Sequence, residues 1–502
     1  MTEFEFKFEI PPAHLKGVAV AMFAVKATRQ RLRASYFDTA DGALAAHGIV
    51  VRLRKEGRRW VQTAKGPTAN LLERLEHNAA LPPQGAGVVP VLDLSRHYGT
   101  PVGKVIDKAL GRQAHDNYPG LELQYGTDIQ RITRRVAVGG SVMEIALDQG
   151  RVFSDGHSQP ICELEVERKE GRSFEAVALA RQWCAAHGLW MSTTSKSMKG
   201  QRLRSGLPFD DPTSAMPQKF SANYSPHASG EEMATAVVAA CLQQILPNMS
   251  ELADGSKQPN HIHQLRVGIR KLRTALRELG GLTDAFDPAW EAVLVRVFRA
   301  LGAHRDHTQL AFVQQPKMRA AGGPIMRFND ASSLILDLGE MVRAPDFQDV
   351  LLGLMCFVHR DIPKTLDKPA DLKKVISRRL AKLHSHTLRD GKKFLVLDEA
   401  HQHDVRKRLK RLRYLMEFAA PLFAARKPGH MAALLDAVKP VQDALGLYND
   451  ELMALRAWRA LAVDDPKAWF GIGWLSARRQ PNAKRCLKEI KALARIKPFW
   501  RG

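Results

Sequence analysis

Three residues near the start of the chain, Glu3, Glu5 and Lys7, alternate with Phe4, Phe6 and Phe8. In a strand the two carboxylates stand about 7 Å apart on one face beside an ammonium, and the three rings take the other face. The alternation returns downstream. Arg52 and Arg54 interleave with Val51 and Leu53, and Glu163 and Glu165 with Leu164 and Val166. Arg131, Thr133 and Arg135 share a face, Arg74 and Glu76 form another such pair, and Lys65 ends the strand WVQTAK. One charged strand face is ordinary wet surface. Several such strands together predict a closed sheet with a polar lumen. Basic residues there would hold phosphate oxygens, and acidic pairs would ligate Mg²⁺ or Mn²⁺ through oxygen.

A second pattern lies in the other half. HQLRVGIRKLRTAL from His263 repeats as HDVRKRLKRLRYLM from His403. His263, Arg266, Arg270 and Arg273 match His403, Arg406, Lys410 and Arg413 at offsets 0, 3, 7 and 10. On a helix these offsets fall within an arc of roughly 80°, a basic stripe about 15 Å long. Leu265, Ile269, Leu272 and Leu276 match Val405, Leu409, Leu412 and Met416 on a separate arc, so one face packs while its neighbour presents cations. ALGAHRD (300–306) then repeats as ALGLYND (444–450), which makes an internal duplication. Like charges stacked on one face repel unless an anion neutralises them. No aromatic ladder interleaves the stripes, which favours an anion without bases and gives no ground for a specific nucleic-acid partner.

These residues need two kinds of scaffold. Residues 1–204 read as strands with one clear helix at 174–188, residues 205–230 as a Pro/Ser/Asp/Gly-rich linker, and residues 231–502 as helices. The repeat divides the helical part at about 370/371. The chain has 502 residues and a formal charge of +23, which favours polyanion partners. The first 210 residues carry 29 basic and 22 acidic groups, so the helical part holds most of the excess. No apolar stretch approaches a membrane span, and five scattered cysteines without metal spacing fit a reducing, cytoplasmic setting.

Residues 231–502 resemble the CHAD family, the conserved-histidine α-helical domain. Both His stripes match its motifs, and Arg305–Asp306 and Asn449–Asp450 match its recurring (R/N)D. The resemblance implies a pair of pseudo-symmetric helical bundles whose basic cleft binds inorganic polyphosphate. Residues 1–204 resemble the CYTH family, the triphosphate tunnel metalloenzymes. EFEFK is its ExExK signature, and SYFDT (35–39), VRLRK (51–55), QTAK (62–65), Arg74/Glu76, TDIQR (127–131), ELE (163–165) and SK (195–196) follow in the family's order.

The CYTH resemblance implies an eight-stranded antiparallel β-barrel and metal-dependent hydrolysis of a phosphoanhydride bond of inorganic triphosphate. Glu3, Glu5, Lys7, Glu163 and Glu165 would be its catalytic groups. Lys7, Arg52, Arg54, Lys65, Arg74, Arg131 and Lys196 would bind triphosphate. Glu3, Glu5, Glu76, Glu163 and Glu165 would hold Mg²⁺ or Mn²⁺, one ion clamping the substrate and a second activating water. Arg134 stands as an alternative to Arg131, Glu167 as an alternative within ELEVE, and Glu144 and Asp148 as a second tier. The alternatives to this function are polyphosphate binding without turnover, including association with polyphosphate granules, and action on another triphosphate, such as thiamine triphosphate, a nucleoside triphosphate or an RNA 5′ end.

Overall fold

The structure, a computed structural model, describes residues 2–68, 70, 72–83, 85, 88–111, 120–214, 224–326, 337–362, 369–423 and 428–500. Residues 215–223 of the expected linker lie outside the described residues. The chain forms two compact units. The first comprises Met1–Pro212, Leu246–Ser256 and Val342–Asp361, and the second Thr213–Ile245, Lys257–Met341 and Ile362–Gly502.

The first unit is built on strands β1 (Thr2–Glu9), β2 (Thr28–Asp38), β3 (Val50–Glu56), β4 (Arg59–Pro67), β5 (Glu73–Ala80), β6 (Glu122–Val138), β7 (Ser141–Ser154) and β8 (His157–Glu170). They run β5-β4-β3-β2-β6-β7-β8-β1, all antiparallel, and β1 pairs back onto β5 through Glu3↔Arg74. The sheet is therefore a closed eight-stranded barrel, which removes its edges. A two-residue strand, β9 (Trp190–Met191), joins β1.

On β1 the apolar face is outside and the charged face inside. Phe4, Phe6 and Phe8 are fully buried on the outer face of β1, and Phe4 meets His359 edge-on at 5.0 Å. His359 ends the helix Pro345–His359, which packs on the helix Ser173–His187. The core that β1 requires is thus supplied by helices laid on the wall. Beneath Leu94–Ala109 a second outer core joins Val51 and Ala64 to Leu94, Val102 and Ile106.

One end of the lumen is closed by its own side chains. Ala34, Tyr36, Tyr125, Ile129, Val152 and Ile161 form a buried cluster with Val50 and Leu203 packed against it. The first six lie on the inward faces of β2, β6, β7 and β8. Leu203 comes from the helix Lys196–Ser205, which passes so close to Tyr125 that a Cβ on Gly200 would lie 2.2 Å from the ring.

The second unit is helical throughout its regular structure among the described residues. It includes the helices Pro259–Leu279, Ala289–Gln309, Pro369–Gly391, Glu399–Phe423, Pro428–Leu461 and Ala468–Leu493. Leu265, Ile269, Leu272, Val405, Leu409, Leu412 and Met416 are buried, as the apolar arc of each stripe requires. The two stripe-bearing helices also exchange ion pairs. Lys271 stands 3.4 Å from Glu417, and Arg411 donates to Glu278 at 2.8 Å. Lys271 and Arg411 each lie eight residues after the stripe histidine, and each reaches an acid of the other stripe-bearing helix. No described helix is long and apolar enough to cross a membrane.

Candidate functional site

The lumen encloses a cavity of about 300 Å³, at the small end of ligand-sized pockets. Strand parity and register decide what lines it. On the arc β3–β4–β5 the inward positions carry Arg52, Arg54, Lys65 and Arg74, with Glu76 and Asn78 beside them. On the arc β7–β8–β1 they carry Glu144, Asp148, Glu165, Glu167, Lys169, Glu3, Glu5 and Lys7. One wall is mainly basic and the facing wall mainly acidic. Between them stand Ala34, Tyr36, Thr127, Ile129 and Arg131 of β2 and β6.

The basic wall keeps unsatisfied donors. Arg52 Nη1 reaches Tyr36 Oη at 3.4 Å, but no described residue accepts from its buried Nε. Arg54 pairs with Glu56 at 2.5 Å, and Arg74 donates to the Gly48 carbonyl at 2.9 Å. Burial and the neighbouring Arg52 hold the Arg54 guanidinium below its usual range. Lys65 contacts Glu3 and stands 3.7 Å from Glu76.

The acidic wall sorts into two triads whose ligand atoms lie within 4.8 Å of one another, Glu3/Glu5/Glu167 and Asp148/Glu163/Glu165. Cross-strand register makes both, through Glu5↔Glu167 and Asp148↔Glu163. In the first triad burial, Glu165 and Glu3 push the Glu5 carboxyl up to about 8. The partners Lys65 and Lys7 outweigh burial at Glu3 and hold it at about 2. All three donors are hard carboxylate oxygens, which suits Mg²⁺ or Mn²⁺.

Of the residues that the sequence places on lumen faces, all reach the cavity but Thr133, Arg135 and, among the expected ligands, Glu163. Glu163 is 1% exposed and lies under the floor against Lys196, with Lys199 at 3.6 Å. Glu76 stands with Lys65 and belongs to neither triad. Of the β6 arginines, Arg131 faces inward. Arg134 points outward, donating to the Ala21 carbonyl and lying 4.9 Å over the Trp183 ring, and Arg135 sits exposed beside Glu144. Arg131 and Lys196, expected on phosphate, are engaged by carboxylates in this structure. Beyond the residues expected from the sequence, Tyr36, Thr127, Asn78, Lys169, Ser192, Thr193, Ser195 and Ser197 line the cavity. Lys169 shares the parity of Glu163, Glu165 and Glu167, so counting by twos would have found it.

The helical unit holds a second cavity, about 460 Å³, to which both repeats contribute. Arg266, Arg270, Arg305 and Asp306 come from the first, and His403, Arg406 and Asn449 from the second. His403 Nδ1 donates to Asn449 Oδ1 at 2.8 Å, and Arg305 stands 3.3 Å from Asp450 of the other repeat. Nε and Nη1 of Arg266 and Nε of Arg406 are buried, with no described acceptor. Burial and Arg270 lower Arg266 to about 10 and Lys410 to about 5, and burial is the main cause that lowers Arg406 to about 10. These basic groups crowd together, with Asp306 and Asp450 as the acids nearest them. The far ends of the stripes differ: Arg273 bonds Glu291 at 2.6 Å, and Arg413 bonds Glu417 at 2.8 Å and Gln442 at 2.7 Å. His263 is exposed and outside the cavity lining.

Residues 1–200 match the family model of the CYTH domain, and residues 236–459 match that of the CHAD domain. The chain is 25% identical over 215 residues to an inorganic triphosphatase of Haemophilus influenzae; the match covers 41% of this chain and 56% of that relative, so just over half of the relative's length is spanned. Among solved structures it is similar to the CHAD domain from the plant Ricinus communis, at 24% identity over 57% of this chain and 98% of that one, with a TM-score of 0.44. It is also similar to a Hippeastrum protein described as an adenylyl cyclase candidate with a dominant triphosphatase activity, at 20% identity over 41% of this chain and 96% of that one, with a TM-score of 0.31.

Proposed function

We propose, from the CYTH domain over residues 1–200 and the CHAD domain over residues 236–459 that this chain contains, that its barrel hydrolyses inorganic triphosphate with a divalent ion while its helical cleft binds inorganic polyphosphate. The observation that carries the first half is one lumen with a basic wall facing an acidic one. Cations alone suffice to dock a phosphate chain. Inward carboxylates oppose docking and cost desolvation unless cations neutralise them.

Glu3, Glu5 and Glu167 are the residues that would hold Mg²⁺ or Mn²⁺, which when bound supplies Lewis-acid polarisation of a phosphoryl oxygen and neutralises its charge. Arg52, Arg54 and Arg74 would bind the non-bridging oxygens with planar donor forks. Lys65 and Lys7 reach from the two walls toward the same space and would stabilise charge that develops on the transferred group. The apolar plug around Tyr36 and Tyr125 keeps bulk water from one end, which strengthens these interactions.

In the cleft, the unsatisfied guanidinium donors of Arg266 and Arg406 support anion binding, because an anion would supply the acceptors they lack. A polyanion spanning both repeats would also relieve the repulsion around Lys410. Binding there would hold the chain on polyphosphate deposits.

The two activities separate by substitution. Glu5→Gln is expected to remove metal-dependent phosphate release and leave polyphosphate affinity within about twofold. Arg266→Ala with Arg406→Ala is expected to weaken long-chain polyphosphate binding at least tenfold, to flatten its salt dependence and to spare turnover of short triphosphate. Equal loss of both activities in either variant would sink the two-module reading.

A further inference from the structure

The two carboxylate triads of the lumen are equal in charge but not in what occupies them. In Glu3/Glu5/Glu167 each acid has its own lysine at the edge: Lys65 on Glu3, Lys7 at 3.5 Å from Glu5, and Lys169 at 2.6 Å from Glu167. No described cation is paired with all three, so the space their oxygens enclose is free of an ammonium.

The other triad is filled. Lys196 Nζ stands 2.7 Å from Asp148 and 2.6 Å from Glu165, and it also contacts Glu163. Two of its N–H donors go to Glu163 and Glu165, and the Asp148 carboxylate stands at ion-pair distance. The Arg131 fork adds bonds to Asp148 at 2.7 and 2.6 Å and to Glu165 at 2.5 Å. Lys199 stands 3.6 Å from Glu163 while bonding Glu9 at 2.6 Å, so the triad and Glu9 together meet three cations, Lys196, Arg131 and Lys199.

Lys196 is also held from behind. It is the first residue of the helix Lys196–Ser205, whose N-cap Ser195 accepts from the Met198 amide. Gly200 of that helix is pressed against Tyr125, and Lys196 itself is 8% exposed. A divalent ion entering this triad would have to evict an ammonium from all three carboxylates. It would also set a double positive charge beside the buried Arg131 guanidinium, which already bonds Asp148 and Glu165.

We propose that Lys196 is a built-in cation that stands where a second divalent ion would otherwise bind, so that the lumen takes a single Mg²⁺ or Mn²⁺, at Glu3/Glu5/Glu167. This rests on the metal-dependent reading of the lumen. It replaces the two-ion arrangement that the family resemblance implies with one ion and one ammonium. The phosphoryl group nearest the plug then meets fixed charge that needs no loading, and activity saturates with one ion bound.

The test is a count of bound Mn²⁺. Metal-free full-length chain is titrated with MnCl₂, and free Mn²⁺ is read from its sharp electron paramagnetic resonance signal. Glu5→Gln/Glu163→Gln serves as the baseline for weak sites elsewhere. The native chain is expected to bind one equivalent above baseline, Lys196→Arg one, and Lys196→Met two. Two equivalents in the native chain would overturn the proposal by itself, even if Lys196→Met failed to fold. One equivalent in a folded Lys196→Met would overturn it as well. If the native chain releases phosphate from triphosphate yet binds two ions, only this proposal fails. If it binds none and releases nothing, the metal-dependent reading falls with it.

Discussion

At the scale of single residues, the lumen is a study in carboxyls with opposite fates. Glu5 is pushed up to about 8 by burial and by the like charges of Glu165 and Glu3. Glu165, at the next position across β1 and β8, is held well below the usual range because Lys196 and Arg131 outweigh its burial. The difference is how near and how many the cations are: Glu5 has Lys7 at 3.5 Å, while Glu165 has Lys196 at 2.6 Å and Arg131 at 2.5 Å. It has a consequence for stability. A folded chain with a raised Glu5 keeps a proton that the unfolded chain releases above about 4.5. The metal-free fold therefore loses stability as pH climbs from about 4.5 to about 8. Glu5→Gln removes that loss. In chelator, its melting temperature relative to the native chain should rise steadily from pH 5 to pH 8.5. A difference that stays flat across this range would show that Glu5 ionises normally.

Site residues were legible in the sequence where strand parity governs them. Counting by twos places Glu3, Glu5, Arg52, Arg54 and Glu165 on inward faces, and the structure puts them there. Parity also separates Arg134, outside, from Arg131, inside. Illegible were the pairings that depend on which strands become neighbours. Glu167 joins Glu3 and Glu5 because of the β1–β8 register. Asp148 joins Glu163 because of the β7–β8 register, and Lys196 arrives from a helix some thirty residues further on. Glu163 has the parity of a lumen residue but lies too deep to line the cavity.

At the scale of elements, the helix Lys196–Ser205 does two jobs. Its Leu203 packs on the apolar plug and its first residue supplies the buried ammonium. Gly200 makes the fit possible. Tyr125 cannot retreat, since it stacks on Tyr36 at 4.7 Å and hydrogen-bonds Ser197 at 2.7 Å. Replacing a mid-helix glycine by alanine normally gains up to about 1 kcal/mol of helix propensity. Here the added methyl would meet the ring, and overpacking costs about 1–3 kcal/mol. Gly200→Ala should therefore lower the melting temperature and reduce triphosphate turnover together, by displacing Lys196. A variant as stable as the native chain would mean that the helix can shift without cost. Sequence patterning predicts neither the plug nor this contact, because both join residues more than seventy positions apart.

At the scale of the whole molecule, two units present cations in opposite company. In the barrel the cations face a wall of acids, an arrangement suited to a metal and a short substrate. In the helical cleft, burial and neighbouring cations lower the proton affinities of Arg266, Arg406 and Lys410, and Asp306 and Asp450 offset this only in part. The strand half and the helical half were each readable from the period of their apolar residues. The pairs Lys271–Glu417 and Arg411–Glu278, which join the two stripe-bearing helices, were not, since nothing local distinguishes them from surface charge.

The central claim is that the lumen turns over triphosphate and does not merely hold it. The most direct measurement is phosphate release from inorganic triphosphate by the full chain, with Mg²⁺ or Mn²⁺ and with chelator, beside the Glu5→Gln variant. The account predicts release that requires the ion, saturates with it, and falls at least a hundredfold in Glu5→Gln. Release that continues in chelator, or a Glu5→Gln variant as active as the native chain, would contradict it.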